Sequence, residues 1–167
     1  MPGRRVFFSF HYELDVWRAA NIRNTGKVDA AAAAGWTDAS IWEEAKKKGR
    51  TELERLIQSA LQGTSVTAVL IGSETADRPW VKYEIQRSIS RGNGLIGIRI
   101  HKIKDQKGER SARGPIPELL KEGGYRTYDW DRDYFGRRVE WAAIDAGKAC
   151  ISHGTTNCFW CRRHWWS

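Results

Sequence analysis

One stretch near the middle of the chain constrains the fold more than any other: TSVTAVLIGSETADRPWVKYEIQRSI, residues 64–89. It opens with an apolar run rich in β-branched residues, 65–71, which is typical of a strand buried on both faces of a parallel sheet. After a polar turn, Val81, Ile85 and Ile89 recur every four residues and predict a helix with a core-facing stripe. The sequence therefore predicts a strand–turn–helix unit, the building block of an α/β fold.

The rest of the chain continues this alternation of strands and helices. Apolar runs predict strands at 5–10, 95–101 and 125–130, and amphipathic patterns predict helices at 13–22, 51–62, 115–122 and 136–146. Leu14 and Trp17 are predicted to lie on the apolar side of their helix. Segment 36–42 is predicted to hold a short second strand or an irregular loop, and the charged and polar segments 43–50 and 102–114 are predicted to be exposed. About five strands in this order predict a flavodoxin-like, three-layer α/β/α fold with a central parallel sheet and the first strand near its centre.

The chain has 167 residues, enough for one domain of ordinary size. We expect that domain at residues 1–147 and a tail at 148–167, which shows no periodicity. No apolar run is long enough to cross a bilayer, and the N-terminal apolar run is too short for a signal peptide. Three cysteines, an odd number, favour free thiols and a cytoplasmic location.

The formal net charge of +8 suits nucleic acid, an anionic surface or a phosphorylated small molecule. The basic residues are dispersed rather than clustered with aromatic residues on one element, so nucleic acid is the least favoured of these partners. Neither a Walker-type nor a dinucleotide-binding glycine motif is present, and there is no nucleophile elbow. These patterns argue against the commonest nucleotide-binding folds and against a serine hydrolase.

The tail contains a Cys-x-x-Cys pair, Cys158 and Cys161, which has the spacing of a redox or zinc motif. Cys150, His153 and His164 could complete a metal set, but their spacings match no standard site. We therefore favour an inert tail and predict no metal.

Glu84 is the sharpest functional candidate. A lone glutamate on a helix is by default solvated, here pairing with Arg87, and Asp77 is the expected N-cap of that helix. Its position argues otherwise, because ligands of open α/β sheets bind beyond the carboxyl ends of the strands. Several other side chains should gather at the same strand ends: Ser9, His11, Ser73, Trp80 and Tyr83.

Several separate motifs occur in one order along the chain. RVFFSFHY opens it at residues 5–12, W-x-x-x-E runs from Trp80 to Glu84, and DASIWEEAKK, TSVTAVLIGSET, GNGLIGIRIH and YRTYDW lie around them. Together they resemble the TIR domain, and in particular the TIR-like branch of the Thoeris antiphage defence system, its ThsB component. The resemblance covers residues 4–147 and implies the TIR fold.

The resemblance also implies NAD chemistry. Enzymatic TIR domains cleave the bond between nicotinamide and ribose, and in the defence branch the product is a cyclic ADP-ribose isomer. That diffusible nucleotide signal activates a partner effector. The resemblance thus implies an NAD+ nucleosidase or ADP-ribosyl cyclase with NAD+ as substrate and no separate cofactor. It leaves open a phage-derived activator and self-assembly.

Carried over by motif position, Glu84 is the catalytic glutamate. The remaining matches are expected to bind substrate: Phe8, Ser9, Phe10, His11, Asp38, Ser40, Trp42, Ser73, Trp80 and Tyr83. The chemistry suits these residue types. Nicotinamide leaves as a neutral base, a carboxylate stabilises the positive charge that develops on the ribose, and an aromatic ring can stack on a base.

The chain departs from the family in two places. DASIWE, residues 38–43, stands where TIR domains carry an Arg-Pro-Gly box, and residues 24–35 have no counterpart in ordinary TIR domains. The first departure leaves open any assembly that uses this loop. Two alternatives remain: a non-catalytic TIR assembly module, and a nucleoside deoxyribosyltransferase-like enzyme, which shares a related architecture and a catalytic carboxylate.

Overall fold

A computed structural model describes residues 4–28 and 39–147, without the side chains of residues 39–43. The strands in these ranges are β1 (Val6–Ser9), β2 (Val66–Ile71), β3 (Gly94–Arg99) and β4 (Thr127–Asp129). The helices there are α1 (Tyr12–Arg23), α2 (Ala39–Lys48), α3 (Arg50–Leu61), α4 (Pro79–Ser90), α5 (Glu118–Glu122) and α6 (Arg132–Asp145), and a 3-10 turn, Thr75–Asp77, precedes α4. The tail at 148–167, with its cysteines and histidines, lies outside the described residues.

The strands form a parallel sheet in the order β1-β2-β3-β4. This order matches four neighbouring strands of a flavodoxin-like sheet, so the predicted α/β class and parallel sheet are confirmed. The described residues hold four strands where about five were expected, and β1 lies at the edge of the described sheet rather than near its centre. Residues 39–42 of the expected second strand begin α2, whose sequence ASIWEEAKKK is rich in helix-forming residues; residues 36–38 lie outside the described ranges.

Helices cover both faces of the sheet, as the predicted three layers require. Alternate residues of β1 point to opposite faces. Phe8 and Phe10 pack against α1 and α6 in the larger core, whereas Phe7 packs against Ile57 and Leu61 of α3. Because every residue of β1 and β2 is buried, these two strands fix the positions of the residues that follow their carboxyl ends.

Helix α1 buries a different face from the one we predicted. Leu14 and Trp17 are 44% and 47% exposed, while Asp15 and Arg18 are almost fully buried. The reason lies far along the chain, since the Arg18 guanidinium donates to carbonyl oxygens of the loop after β3, including that of Ile103 at 3.0 Å. The polar pair is therefore buried beneath this loop, and apolar periodicity alone gave the wrong side.

Helix α4 keeps only part of the predicted stripe. Val81 and Ile85 are buried, but Ile89 is 40% exposed. Ser88 is buried in its place, and its hydroxyl lies 2.7 Å from that of Thr67 on β2. Asp77 lies in the 3-10 turn rather than at the N-cap, so that prediction was wrong.

Other local predictions agree more closely with the structure. The helices predicted at 51–62, 115–122 and 136–146 correspond to α3, α5 and α6, and residues 102–114 form neither helix nor strand. Segment 43–50 is helical over most of its length, and its Ala45 is buried because α2 packs on α3. Among the described residues, no helix has the length and apolarity needed to cross a membrane.

Candidate active site

A cleft of about 250 Å³ opens at the carboxyl edge of the sheet. It lies where β1 runs into α1 and where the turn after β2 runs into α4, so the N-termini of two helices border it. Its lining combines aromatic, acidic and basic side chains: Phe10, His11, Tyr12, Glu13, Lys46, Arg78, Pro79, Trp80, Val81 and Glu84. Parallel α/β sheets generally bind their ligands at this edge.

Glu84 forms part of the inner wall of this cleft. Its side chain is only 7% exposed, and the Ser9 hydroxyl donates a hydrogen bond to its Oε2 at 2.5 Å. Burial raises the pKa of Glu84 to about 8, against a smaller lowering by the Ser9 hydrogen bond. In the free protein at neutral pH this carboxyl is therefore mostly protonated.

The local sequence explains why a glutamate is buried here. Val81, Glu84, Ile85 and Ser88 follow the i, i+3, i+4, i+7 pattern, and all four are buried. Glu84 thus occupies a core-facing position of α4 near the helix start, where the core gives way to the cleft. The alternative pairing with Arg87 is not formed, because the Arg87 Nε donates to the Tyr83 hydroxyl at 3.0 Å.

The structure brings some of the predicted site residues to the cleft. Phe10, His11 and Trp80 line it together with Glu84, and Ser9 lies directly behind the Glu84 carboxyl. Trp80 is half-buried and meets the Tyr83 ring edge-on, with 5.8 Å between ring centroids. The indole is therefore held in place at the mouth of the cleft.

Other predicted residues lie elsewhere. Phe8 lies on the face of the sheet opposite to Ser9 and Glu84 and stacks on Phe135, with 6.2 Å between centroids. The Tyr83 hydroxyl contacts α3, accepting from the Gln58 amide at 3.1 Å, and Ser73 is half-buried outside the cleft lining. Asp38 and the side chains of Ser40 and Trp42 lie outside the described residues.

Sequence reasoning missed the charged rim of the cleft. Lys46 Nζ lies 3.0 Å from Glu13 Oε1, and the Arg78 guanidinium donates to the Glu74 carboxylate. Lys46 belongs to the basic run at 46–50, which pattern analysis assigned to solvent. Arg78 stands directly before the Pro-Trp that opens α4, and this neighbourhood was the one available signal.

His11 caps α1 and faces the cleft at the same time. Its Nδ1 accepts a hydrogen bond from the Leu14 amide at 3.4 Å, so in the neutral ring the proton is on Nε2. The ring is 5% exposed, and its Nε2 has no hydrogen-bond partner among the described residues. The cleft therefore holds one buried N–H donor that the fold itself does not use.

No group of three or more potential metal ligands occurs within residues 4–28 and 39–147. What the described cleft offers is a buried carboxyl, a fixed aromatic ring and several donors for an anion. This combination can hold a cationic or polar group against the carboxyl while the rim binds negative charge.

Two comparisons with known proteins show what the chain is similar to. The family model described as "Thoeris protein ThsB, TIR-like domain" matches residues 7–105, which include Ser9, His11, Trp80 and Glu84. A curated protein of Bacillus cereus (strain MSX-D12), named "Putative cyclic ADP-D-ribose synthase ThsB1", is 51% identical over 119 residues. That match covers 69% of this chain and 61% of the relative, so the chain spans less than two thirds of the relative's length.

Proposed function

Since the chain belongs to the family of Thoeris ThsB TIR-like domains, we propose that it cleaves NAD+ at the nicotinamide–ribose bond in antiphage defence. The proposed product is a cyclic ADP-ribose-type signal that activates a separate effector in the cytoplasm. The name of the Bacillus cereus relative describes a synthase of cyclic ADP-D-ribose, and this supports cyclisation over simple hydrolysis. The reaction needs no cofactor, because NAD+ is itself the substrate.

The buried Glu84 carboxyl at the inner wall of the cleft is the observation that carries the proposal. Loss of nicotinamide leaves positive charge on the ribose, and a carboxylate in a poorly solvated site stabilises that charge strongly. The cationic pyridinium of NAD+ favours ionisation of the neighbouring carboxyl, so binding of the substrate generates the required anion. Glu84 is the proposed catalytic residue.

Trp80 supports the same assignment. Its ring is fixed against Tyr83 and lies one helical turn before Glu84, so a base stacked on the indole is held near the carboxyl. The cleft is smaller than a typical pocket for a drug-sized ligand, which measures about 300–1,000 Å³. We therefore place the nicotinamide riboside half inside it and the rest of the dinucleotide along the rim.

Cyclisation requires that a nucleophile of the same substrate attack the ribose before water does. An adenine nitrogen or a ribose hydroxyl held close to the reacting carbon gains the advantage of an intramolecular reaction. The apolar side of the cleft, with Phe10 and Val81, disfavours an ordered water beside the sugar. These features support ring closure as the fate of the ADP-ribose.

Mass spectrometry of NAD+ incubated with the protein, with and without lysate from infected cells, tests the proposal. We expect free nicotinamide and a cyclic product, and a severe loss of both in Glu84→Gln, which keeps an oxygen for the Ser9 hydrogen bond. Full activity of a folded Glu84→Gln protein would exclude the role given to Glu84. An intact NAD+ pool with concentration-dependent assembly in light scattering would instead indicate an assembly module, and base release from deoxynucleosides a deoxyribosyltransferase-like enzyme.

A further inference from the structure

Two donors at the mouth of the cleft converge on one carboxylate oxygen. His11 Nε2 lies 3.9 Å from Glu74 Oε2, and Arg78 Nη2 donates to the same atom. Both donor residues line the cleft, whereas Glu74 reaches in from the turn after β2 and its side chain is 55% exposed. An anion thus already occupies the space between the two donors, and it belongs to the protein.

The histidine contributes a donor of fixed direction. Because Nδ1 is engaged at the start of α1, the Nε2–H cannot turn away without loss of the helix cap. The distance of 3.9 Å to Glu74 is too long for a hydrogen bond, and Nε2 has no other partner in the described part of the chain. A buried N–H without an acceptor costs free energy, which indicates that a ligand atom accepts its hydrogen bond.

The backbone favours an anion at the same place. Helices α1 and α4 both begin at the cleft, and the first N–H groups of a helix have no acceptor within it. The N-cap residue of α4 is Arg78, whose side chain makes no capping hydrogen bond. Because Pro79 has no N–H, the amides of Trp80 and Val81 are the first-turn donors that a ligand oxygen could use. Two helix N-termini, a buried N–H and a guanidinium therefore point to a multiply charged oxyanion.

We propose that this point is the diphosphate subsite, with His11 Nε2 and Arg78 as its donors and Glu74 as an internal competitor that occupies it in the free protein. Identification of the ligand as the diphosphate of a dinucleotide rests on the proposed function. When the ligand binds, the Arg78 guanidinium releases the exposed Glu74 carboxylate and binds a phosphate, to which it can donate two hydrogen bonds. Displacement of Glu74 accompanies every binding event, so the side chain lowers the affinity for nucleotide.

Calorimetric titration with ADP, using adenosine for comparison, tests the subsite without any turnover. Glu74→Gln removes the competing charge and is expected to tighten ADP binding about two- to fivefold, the range for release of an exposed ion pair. Glu118→Gln is the matched control, because Glu118 also forms an exposed pair within one helical turn, with Lys121 at 3.0 Å. It should leave the affinity unchanged.

His11→Asn tests the histidine donor while the cap is kept, because asparagine is among the best N-cap residues but is too short to replace Nε2. We expect ADP to bind about tenfold more weakly, as for loss of a hydrogen bond to a charged group, and adenosine binding to change little. Circular dichroism of the variant confirms that α1 is retained.

Three results would overturn the subsite: adenosine binding as tightly as ADP, Glu74→Gln binding ADP no better than Glu118→Gln, or nicotinamide release by a protein that does not bind ADP. In the last case the proposed function stands and only the subsite fails. If both variants change ADP binding as expected but the protein leaves NAD+ intact, the diphosphate subsite is retained and the proposed reaction is rejected.

Discussion

Two buried carboxyl groups lie on helices that begin at the carboxyl edge of the sheet, and their surroundings differ. Asp15 on α1 is 1% exposed and lies 3.1 Å from the Arg18 guanidinium, beneath the loop after β3. Glu84 on α4 is 7% exposed and faces an open cleft, and within the described residues its carboxyl bonds to the neutral Ser9 hydroxyl alone. Arg18 neutralises Asp15, whereas no cation in the described part of the chain pairs with Glu84, so its carboxyl is open to a cationic ligand.

The surroundings of Arg18 explain why the first acid is structural. The guanidinium also donates to the backbone oxygens of Leu14, Ile103 and Glu109, so it joins α1 to a loop that is remote in sequence. Burial raises the pKa of Asp15, and Arg18 opposes that rise. Burial alone therefore does not identify a catalytic acid. Glu84 differs because it faces an open cleft and no cation among the described residues pairs with its carboxyl.

Removal of the cation from the structural pair should have the largest effect on stability. Arg18→Ala leaves Asp15 buried without its partner and frees the loop, so we expect a loss of about 3–5 kcal/mol in the free energy of unfolding. Urea denaturation measures it. Arg55→Ala, which breaks the exposed pair with Glu52, should change little. Equal losses in the two variants would show that Arg18 does not hold the loop.

Exchange of each acid for its amide separates the two roles. Glu84→Gln should lower nicotinamide release about 10²–10³-fold, the usual effect of removing a group that stabilises transition-state charge. Asp15→Asn should lower stability and leave the rate per folded molecule within a fewfold of the parent. Chromatography measures the nicotinamide that each variant releases, and circular dichroism measures its folded fraction. Dividing the first by the second gives the rate per folded molecule. A large rate loss in Asp15→Asn would erase the distinction.

The raised pKa of Glu84 predicts two pH dependences. If the ionised form reacts, kcat/KM rises about tenfold per pH unit up to about pH 8 and then levels off. Stability has the opposite sign: between pH 4.5 and about 8 the unfolded carboxyl has lost a proton that the folded one keeps, so stability falls as pH rises.

Urea midpoints at pH 5 and pH 8 measure the second dependence. Glu84→Gln removes this titration and should show a smaller fall than the parent, whereas the contribution of Asp15 remains in both proteins. A parallel fall in the two proteins would indicate that the Glu84 carboxyl titrates normally.

Sequence patterns predicted those features of the fold that depend on residues close together in the chain. The strand over Val66–Ile71 and the buried positions Val81 and Ile85 follow from local periodicity. Neither the burial of Arg18 nor its contacts with the loop after β3 could be predicted, because the acceptors in that loop lie more than 80 residues away. At the candidate site, family motifs placed Ser9 and Glu84 together, but their direct contact across 75 residues required the folded structure.

The charged rim of the cleft could not be predicted from the sequence for a related reason. Glu74 and Arg78 lie four residues apart, at a spacing that indicates only a common exposed ion pair. His11 joins them from the start of α1, more than 60 residues earlier in the chain, and no local pattern connects the three residues. Charge patterns in a sequence show which residues can pair along one element, whereas a binding rim depends on how separate elements meet.

The smallest effect should come from Ser9, which acts through Glu84 rather than on the substrate. Ser9→Ala removes the hydroxyl that stabilises the carboxylate, so the pKa of Glu84 rises further and kcat/KM at pH 7 falls about tenfold. The loss should be partly recovered at pH 9, because more of the carboxyl is then ionised. Ser88→Ala is the matched control, since it removes another buried hydroxyl of α4, which bonds to Thr67 and donates to the backbone oxygen of Glu84 but not to its carboxyl. A pH profile shifted in Ser9→Ala and unshifted in Ser88→Ala places the effect on the ionisation of Glu84, and equal profiles would reduce Ser9 to a packing residue.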